Sequence, residues 1–326
     1  MIISRTPLRI SFAGGGTDLA EFYEKEGGAV LSAAVDKYIF ATVNKKFDEH
    51  IRVSYSETEI VERVDDLKHD LVREAMKLTG VDRGIEITTI ADIPSSGTGL
   101  GSSSTFTVGL LNALHAYKGQ HVPAEVLARE ACRIEIEIVG EPIGKQDQYI
   151  AAYGGIQFIE FNRDGSVFVD PVIISKEMKD HLQDNLMLFY TGITRRANTI
   201  LKEQKDNSGQ NKLFELKALK QLAYDLREAL QKKKSTDDFG CVLHEGWKIK
   251  KSLANGISNP EIDELYEKAL KAGALGGKIL GAGGGGFLLL YVPGERQAKV
   301  RESLSVLKET KFNFEPQGSK IIYVSD

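Results

Sequence analysis

The sequence predicts a two-domain protein of the α+β class, and the length, the composition and the order of the periodic segments support this. At 326 residues the chain is longer than one typical hydrophobic core. Hydrophobic residues make up 42% and charged residues 27%, as in ordinary globular proteins. Strand patterns are frequent in the first half, whereas longer helical patterns dominate the second. We expect the boundary between residues 171 and 183 and divide the chain into residues 1–180 and 181–326.

The first domain is expected to alternate between strands and helices. Alternating or continuous apolar segments predict strands at Ile2–Phe12, Ala29–Val43, Val53–Tyr55, Ile85–Ile90, Ile156–Phe161 and Val167–Val169. Helical spacing of apolar residues predicts helices at Asp18–Lys25, Asp65–Leu78, from Ser102 onward and at Pro123–Val139.

The second domain is expected to be mainly helical. Its predicted helices are Thr194–Lys205, Lys212–Gln231, Asp237–Ala254, Pro260–Ala272 and Glu295–Lys308. Its predicted strands are Leu186–Tyr190, Lys278–Leu280, Phe287–Val292 and Lys320–Val324. We expect the strand at Lys278 to pair with the one that begins at Phe287.

Charge and cysteine content exclude several classes of protein. The formal net charge is −4 and the isoelectric point is near 6.0, so we expect neither nucleic acid nor an anionic membrane as a partner. No apolar run approaches the length of a membrane span, and the first residues lack the apolar core of a signal peptide. Cys132 and Cys241 are expected to be small buried residues and not a disulfide or a metal pair. These observations predict a cytoplasmic protein.

A glycine-rich loop before the helix at Ser102 is the strongest functional signal. Gly97, Gly99 and Gly101 alternate with other residues, which permits positive φ and a close approach of the backbone to a ligand. The following helix N-terminus favours an anion, so the loop predicts a polyphosphate site. Without a lysine it is not a Walker A loop. The alternative is a turn whose serines only cap the helix. The predicted phosphate-loop residues are Pro94, Ser95, Ser96, Gly97, Thr98, Gly99, Leu100, Gly101, Ser102, Ser103 and Ser104.

Glu135 is a carboxylate in an unexpected place. It lies at the edge of the apolar face that Ala131 and Ile134 help to form on the predicted helix Pro123–Val139. A carboxylate at a buried edge needs either a basic side chain or a cation as its partner.

Two further glycine-rich turns precede or follow strands, at residues 13–18 and 281–286. The second contains the letters of a dinucleotide-binding fingerprint, but the residues from Phe287 continue as a strand and not as the required helix. We therefore reject a Rossmann fold. Taken alone, the turn at residues 281–286 would be a tight connection between two strands. Considered together with the other two glycine-rich loops, it predicts a site in which the backbone contacts a substrate closely.

Three stretches in this order resemble the GHMP small-molecule kinases, a superfamily that includes galactokinase, homoserine kinase, mevalonate kinase and phosphomevalonate kinase. The stretches are Pro7–Asp18, Pro94–Ser104 and Lys278–Gly286. The second is similar to the G-L-G-S-S-A phosphate loop of the family, with Ser104 in place of the usual alanine. The letters A-G-G-G-T-D, with G-E-P-I-G-K-Q-D-Q-Y at Gly140–Tyr149, are most similar to the bacterial D-glycero-D-manno-heptose 7-phosphate kinases.

The resemblance implies a fold and a set of catalytic residues. It implies an N-terminal domain like domain 2 of ribosomal protein S5, with a left-handed βαβ unit, and a ferredoxin-like α+β C-terminal domain, with the active site between them. ATP would place its phosphates on the loop at Gly97, with Mg²⁺ held by Ser103 and Glu135. Asp147 would orient or deprotonate the sugar hydroxyl beside Arg9, which maintains its charge. By itself, Asp147 would more simply be the N-cap of a short helix.

The resemblance also implies substrate-binding residues. They are Gly15, Gly16, Thr17 and Asp18 in the first glycine-rich turn, and Gly283 and Gly284 in the last. Asp18 would hold sugar hydroxyls, and a helix N-cap is its competing role. Arg195 and Arg196 stand at a predicted helix start, where the dipole disfavours cations, so we expect one of them to bind a substrate phosphate. Solvated surface arginines are the alternative.

These observations together predict an ATP- and Mg²⁺-dependent sugar kinase. The expected reaction phosphorylates the anomeric hydroxyl of D-glycero-D-manno-heptose 7-phosphate to the 1,7-bisphosphate, for nucleotide-activated heptose. The alternatives are another GHMP sugar kinase, of the fucose or galactose type, and a non-catalytic sugar sensor. The expected partner is a small sugar phosphate. The anomer, the adenine pocket, the exact role of Asp147 and the oligomeric state, with a homodimer as one option, stay open.

Overall fold

The strands form two sheets that divide the molecule. The structure is a computed structural model that describes residues 1–94, 97–193, 200, 202–203, 212–231 and 237–325. In chain order the strands of these residues are β1 (Ile2–Ala13), β2 (Gly28–Lys45), β3 (Ile51–Ser54), β4 (Thr58–Val61), β5 (Ile85–Ala91), β6 (Ile156–Phe161), β7 (Val167–Pro171), β8 (Leu186–Tyr190), β9 (Gly276–Ile279), β10 (Phe287–Tyr291), β11 (Lys308–Glu309) and β12 (Lys320–Val324).

The larger sheet has eight strands, in the order β12-β1-β2-β5-β3-β4, with β6 paired to β2 and β7 paired to β6. It branches because β2 is 18 residues long and pairs with β6 through its first residues and with β5 through its last. The pairing of β3 with β5 is parallel, and the other recorded pairs are antiparallel. The register of β1 against β2 shifts after Pro7, which has no N–H to donate.

The smaller sheet has four antiparallel strands in the order β11-β8-β10-β9. The predicted pairing of the strand at Lys278 with the strand at Phe287 is confirmed, since Lys278 lies opposite Leu289. The glycine-rich turn between them therefore connects two strands and leads into no helix.

The helices cover these sheets and bring the predicted loops together. In chain order the described helices are α1 (Ala20–Glu26), α2 (Asp70–Thr79), α3 (Ser102–Tyr117), α4 (Ala124–Cys132), α5 (Gln146–Tyr153), α6 (Lys176–Asp184), α7 (Leu213–Gln231), α8 (Asp237–Lys251), α9 (Pro260–Ala272) and α10 (Gln297–Ser303). In the described ranges, none of these helices is both long enough and apolar enough to cross a membrane.

Helix α3 is the central helix of the larger domain. Its residues from Ser104 to Leu111 are all buried. Gly109 permits close contact with β1, because a Cβ there would lie 2.6 Å from Thr6 Oγ1, and the Ser4 hydroxyl donates to the Gly109 carbonyl at 2.7 Å. This packing fixes the start of α3, and with it the glycine-rich loop, against β1.

Two features join the halves of the molecule. Phe239 of α8 contacts Phe12 of β1 at a centroid distance of 5.0 Å and Tyr291 of β10 at 6.1 Å, so one ring touches both sheets. The last strand returns to the first domain, because Ile2 lies opposite Val324 of β12. The predicted division at residue 180 thus separates the two sheets, except that residues 320–324 belong to the larger one.

Several predicted elements differ from those observed. The helix predicted to begin at Asp18 begins at Ala20. The helix predicted at Pro123–Val139 is α4 followed by a π-helical turn at Arg133–Ile138. The helix predicted from Glu295 to Lys308 is shorter, because Lys308 forms β11.

The cysteine prediction was half right. Cys132 is buried as expected, whereas Cys241 is exposed. Its helix, α8, has an apolar stripe on the opposite face.

Candidate active site

The glycine-rich loop has the backbone that its sequence predicts. Gly97, Gly99 and Gly101 have φ values of 71°, 77° and 77°, in the left-handed region that only glycine adopts easily. Gly101 precedes α3, and no side-chain hydrogen bond caps that helix. The serines therefore do not act as caps, which removes the alternative explanation, and the first amides of α3 remain available to an anion. Ser95 and Ser96 lie outside the described residues.

Backbone from both domains holds this loop. On one side the Arg9 amide donates to the Leu100 carbonyl at 3.1 Å, and on the other the Phe287 amide donates to the Thr98 carbonyl at 3.1 Å. The contact is so close that a Cβ on Gly99 would lie 2.4 Å from the Leu280 carbonyl oxygen. The turn at residues 281–286 thus supports the phosphate loop.

Arg9 and Asp147 form a bidentate pair beside the loop. Arg9 Nε donates to Asp147 Oδ1 and Arg9 Nη2 donates to Asp147 Oδ2, each at 2.7 Å. The third contact, from Arg9 Nη1 to the Gly99 carbonyl at 2.5 Å, ties the pair to the phosphate loop. Asp147 is the second residue of α5 and not its N-cap, which is Lys145. The competing capping role is therefore wrong.

Glu135 is fully buried and reaches the start of α3. The Ser103 hydroxyl donates to Glu135 Oε1 at 2.9 Å, and Gln148 Nε2 donates to Glu135 Oε2 at 2.6 Å. Burial raises the pKa of Glu135 to about 7, against the effect of these hydrogen bonds. No recorded ion pair joins Glu135 to a basic residue within the described ranges.

The π-helical turn supplies this position for Glu135. The Val139 amide donates to the Ile134 carbonyl at 2.9 Å, which is the i→i+5 bond of a π turn. Such a turn shifts the following side chains around the axis relative to an α-helix and is frequent at functional sites. Of the two partners expected for a buried carboxylate, the surroundings of Glu135 fit a cation.

Asp18 connects the first glycine-rich turn to α5. Its Oδ1 accepts from the Gly16 amide at 2.9 Å, and its Oδ2 accepts from the Gln146 amide at 3.2 Å. Leu19, not Asp18, is the N-cap of α1, so the predicted capping of that helix is wrong. Burial raises the pKa of Asp18, and the nearby charge of Asp147 adds to the effect. Gly144 must remain small, because a Cβ there would lie 2.0 Å from Asp18 Oδ2.

Arg9, Asp18 and Asp147 line one pocket between the two domains, about 590 Å³ in volume including its open mouth. Its walls are Arg9, Ser11, Gly15, Gly16, Asp18, Leu19, Ile143, Gly144, Gln146, Asp147, Lys250, Gly281 and Ala282. The structure thus brings together five of the residues predicted for substrate binding or catalysis in the N-terminal domain: Arg9, Gly15, Gly16, Asp18 and Asp147. The glycine turn of the C-terminal domain contributes Gly281 and Ala282.

Lys250 is a pocket residue that sequence reasoning missed. It is only 6% exposed, and its ammonium donates to the Gly281 carbonyl. Burial lowers its pKa to about 8, and the positive charge of Arg9 acts in the same direction. A signal was present, because Lys250 continues the helical spacing of the buried residues Leu243 and Trp247. Glu135 was identified because a charged residue interrupts the apolar face of a helix, and the same criterion applied to α8 would have identified Lys250.

Lys278 is a second buried lysine at the contact between the two sheets. Its ammonium donates to the Phe12 carbonyl at 3.2 Å, from β9 of the smaller sheet to β1 of the larger. Burial lowers its pKa well below the ordinary range, with a further contribution from the charge of Lys250. It contributes to the joint between domains.

Other predicted substrate residues have different surroundings. Thr17 is fully buried, and its hydroxyl both donates to the Ala29 carbonyl at 3.0 Å and accepts from the Ala29 amide at 3.1 Å. The Gly284 amide donates to the Ile257 carbonyl at 2.8 Å, and a Cβ on Gly283 would lie 2.6 Å from the same oxygen. Their substrate contacts stay predictions, as do those of Arg195 and Arg196, which lie outside the described residues.

Comparison with known proteins identifies the family. The family model for the GHMP kinases N terminal domain matches residues 66–155, and the model for the GHMP kinases C terminal domain matches residues 222–306. The chain is 35% identical over 307 residues to a D-glycero-alpha-D-manno-heptose 7-phosphate kinase of Campylobacter jejuni, with 89% of each protein covered. It is 28% identical to an L-fucokinase/L-fucose-1-P guanylyltransferase of Bacteroides fragilis, covering 92% of this chain and 35% of that protein.

Solved structures show the same fold. A D-glycero-D-manno-heptose 1-phosphate kinase from Bacteroides thetaiotaomicron matches with a TM-score of 0.83 and 26% identity over the whole of both chains. A phosphomevalonate kinase from Streptococcus pneumoniae, solved with phosphomevalonate and AMPPNP, matches with a TM-score of 0.78 at 17% identity. Because the matching models, the relatives and the observed site agree, the chain belongs to the GHMP kinase superfamily of small-molecule phosphotransferases.

Proposed function

We propose that this protein uses ATP to phosphorylate the anomeric hydroxyl of D-glycero-D-manno-heptose 7-phosphate, giving the 1,7-bisphosphate. The observation that carries the proposal is the contact of the Arg9–Asp147 pair with Gly99 of the phosphate loop, inside a pocket that Asp18 also lines. A hydroxyl bound in this pocket would lie between the Asp147 carboxylate and the phosphate that the loop is proposed to hold. The similarity to the Campylobacter kinase supports the choice of sugar.

The geometry of Asp147 suits proton removal from that hydroxyl. Each of its oxygens accepts one bond from Arg9, and a carboxylate oxygen has a second lone pair with which to accept from the sugar. Arg9 holds the carboxylate in one orientation. Phosphoryl transfer depends mainly on such positioning and on charge neutralisation at the phosphates, which the amides at the start of α3 and the cationic Arg9 and Lys250 provide.

Ser103 and Glu135 would hold Mg²⁺. An oxygen pair formed by a hydroxyl and a carboxylate without a basic partner matches the ligands that Mg²⁺ prefers. The ion would neutralise charge on the β- and γ-phosphates. We expect Glu135→Gln to raise the Mg²⁺ concentration for half-maximal activity by at least about tenfold, as removal of a ligand usually does. An unchanged Mg²⁺ titration would remove Glu135 from this role.

The names of the relatives differ in the phosphate that the acceptor carries, at position 7 in the Campylobacter kinase and at position 1 in the Bacteroides protein. We favour the 7-phosphate, because the first relative shares more identity with this chain. Arg195 or Arg196 is proposed to bind that phosphate. The product would supply nucleotide-activated heptose.

A panel of acceptors tests the proposal. Purified protein is incubated with Mg-ATP and heptose 7-phosphate, heptose 1-phosphate, L-fucose, galactose or mevalonate, and the product is identified by phosphorus NMR. We expect heptose 7-phosphate to give the highest kcat/KM and a new anomeric phosphate signal. A preference for L-fucose would favour the second candidate, a fucose-type kinase, which the similarity to the Bacteroides fucokinase supports. Absence of acceptor-dependent ATP consumption would reject both.

A further inference from the structure

Two buried polar atoms in the pocket wall have no hydrogen-bond partner in the described part of the chain. Ser11 Oγ is one, and Gln146 Oε1 is the other, and both atoms are buried. Neither belongs to the phosphate loop, to the Arg9–Asp147 pair or to the proposed metal ligands. A buried polar atom without a partner destabilises the fold, so such atoms are uncommon unless a ligand or water satisfies them.

The two side chains approach the same point in space. An ideal Cβ built on Gly15 would lie 3.6 Å from Gln146 Nε2 and 3.8 Å from Ser11 Oγ. Both side chains therefore lie beside Gly15 in the pocket wall, and a ligand oxygen that contacts this part of the wall has a hydroxyl and a side-chain amide next to it. Together they offer both a donor and acceptors, which a carbon-bound hydroxyl group can use at once.

The elements that carry them are rigid and independent of each other. Ser11 belongs to β1, opposite Ser32 of β2, whereas Gln146 is the first residue of α5, and its amide is held by Asp18. The side chains thus reach the pocket from a strand and from a helix, and the backbone bonds of each element stay intact when either side chain is changed.

We propose that Ser11 and Gln146 bind one hydroxyl group of the acceptor sugar other than the one that is phosphorylated, and so select polyhydroxylated acceptors. The proposal rests on the proposed function and extends it to substrate specificity. Gln146 is adjacent to Asp147, so this hydroxyl subsite is next to the reacting centre. A site built to bond a hydroxyl discriminates strongly against an acceptor that lacks it, because its own buried polar groups then remain unpaired.

Ser11→Ala and Gln146→Met test the subsite with heptose 7-phosphate and a set of its monodeoxy derivatives. We expect the wild type to discriminate against one derivative by at least about tenfold in kcat/KM, the effect of one hydrogen bond of ~1.4 kcal/mol. Each variant should lose about tenfold on the parent sugar, leave the KM for ATP unchanged, and no longer discriminate against that same derivative. Melting temperature should not fall, since neither atom bonds to protein.

Ser32→Ala is the matched control. Ser32 Oγ is also buried and without a partner in the described residues, but it does not line the pocket. Ser32→Ala should therefore leave the kcat/KM for the parent sugar, and its ratio to the kcat/KM for each deoxy derivative, at wild-type values. Gly15→Ala is a second probe, because its methyl group would meet only ordinary contacts and would fill the subsite. Gly15→Ala should lower the kcat/KM for the parent sugar about as much as Ser11→Ala does.

The proposal fails if Ser11→Ala and Gln146→Met retain wild-type discrimination against every deoxy derivative, or if Ser32→Ala has the same effect as Ser11→Ala. A wild type that phosphorylates no sugar would contradict the proposed function instead. In that case the subsite is tested by calorimetric titration of the wild type and of Ser11→Ala with heptose 7-phosphate in the presence of AMPPNP. Binding that is about tenfold weaker in Ser11→Ala supports the subsite. Equal affinity in the two proteins, or no binding to either, overturns it.

Discussion

The pocket residues differ in the chemical role that we propose for them, and the role of Asp147 is the most specific. Its carboxylate is oriented by two bonds from Arg9, and Arg9 is bonded to the phosphate loop. A movement of the loop would therefore change the orientation of the carboxylate. In the reaction that we propose, this connection lets a residue of α5 and a loop some fifty residues earlier act on one hydroxyl.

We expect Asp147→Asn to lower kcat by roughly 10²–10⁴-fold with little change in the KM for ATP, because a general base is lost while the nucleotide site remains. Steady-state assays with the preferred acceptor measure this. Asp82→Asn, the same change at an exposed residue, should have wild-type kinetics. If Asp147→Asn turns over at the wild-type rate, the assignment is wrong.

Lys250 links activity to a cost in stability. Its lowered pKa, about 8, means that the charged form is destabilised in the fold by ~3 kcal/mol relative to an ordinary lysine. Since the pKa is lowered, this cost is present below pH 8 and declines as the pH rises from 8 towards 10.5, the ordinary value.

We expect Lys250→Met to increase the free energy of unfolding at pH 7 by about 1–3 kcal/mol, with the lost bond to Gly281 offsetting part of the gain. Its advantage over the wild type should shrink between pH 8 and 10. The kcat/KM for the acceptor should fall by roughly a hundredfold, because a preorganised donor in the pocket is lost. Urea denaturation and kinetics measure both effects. A variant that is fully active or less stable would contradict this interpretation.

At the scale of elements, the site depends on loops that meet through their backbones. The phosphate loop and the turn at residues 281–286 are in contact at Gly99 and Gly281, where a Cβ on Gly281 would lie 2.6 Å from the Gly99 Cα. Gly281 also has a φ of 68°, which disfavours any other residue. The turn therefore determines the position of the phosphate loop even where it does not touch a phosphate.

We expect Gly281→Ala to raise the KM for ATP and to lower kcat, each by about tenfold or more, because the phosphate loop must shift to admit the methyl group. Gly294→Ala is the matched control in the same domain, since a Cβ there would meet no atom within 4 Å. Nucleotide titrations of both variants give the comparison. If Gly281→Ala and Gly294→Ala bind the nucleotide with equal affinity, the contact between Gly281 and Gly99 has no effect on the phosphate loop.

At the scale of the whole molecule, the buried apolar residues form two clusters, and the larger one contains residues of both sheets. Phe239 is almost fully buried, and its hydrophobic cluster contains residues of β1 as well as β10. The final strand, β12, adds a second connection by pairing with β1. Since the pocket is formed between the sheets, its shape depends on these connections.

We expect Phe239→Ala to lower the free energy of unfolding by about 3–5 kcal/mol through a cavity at the joint, and to reduce activity with it. Urea denaturation should show one transition, because the cluster around Phe239 contains residues of both sheets and so couples their unfolding. Phe214→Ala removes the same side chain from a position that is 84% exposed, and should change stability by less than about 0.5 kcal/mol. Two separate transitions in the wild type would mean that the sheets unfold independently.

The amino-acid sequence by itself determined the features that are local in the chain. The glycines at Gly97 and Gly101 permit left-handed backbone, and the apolar residues from Phe287 onward favour a strand over a helix, so both loops could be predicted from neighbouring residues. Glu135 was found because a carboxylate conflicts with the apolar spacing around it. The order of three such motifs was sufficient to indicate the superfamily.

Only the tertiary structure decided which distant groups meet. Whether Asp147 caps a helix or faces Arg9, whether Lys250 is at the surface or in the pocket, and whether the last strand belongs to the second sheet or the first depend on packing between segments far apart in sequence. Local patterns report the burial of a residue but not the identity of its partner. For this reason the hydroxyl subsite at Ser11 and Gln146, which joins a strand and a helix 135 positions apart, has no signature in the chain.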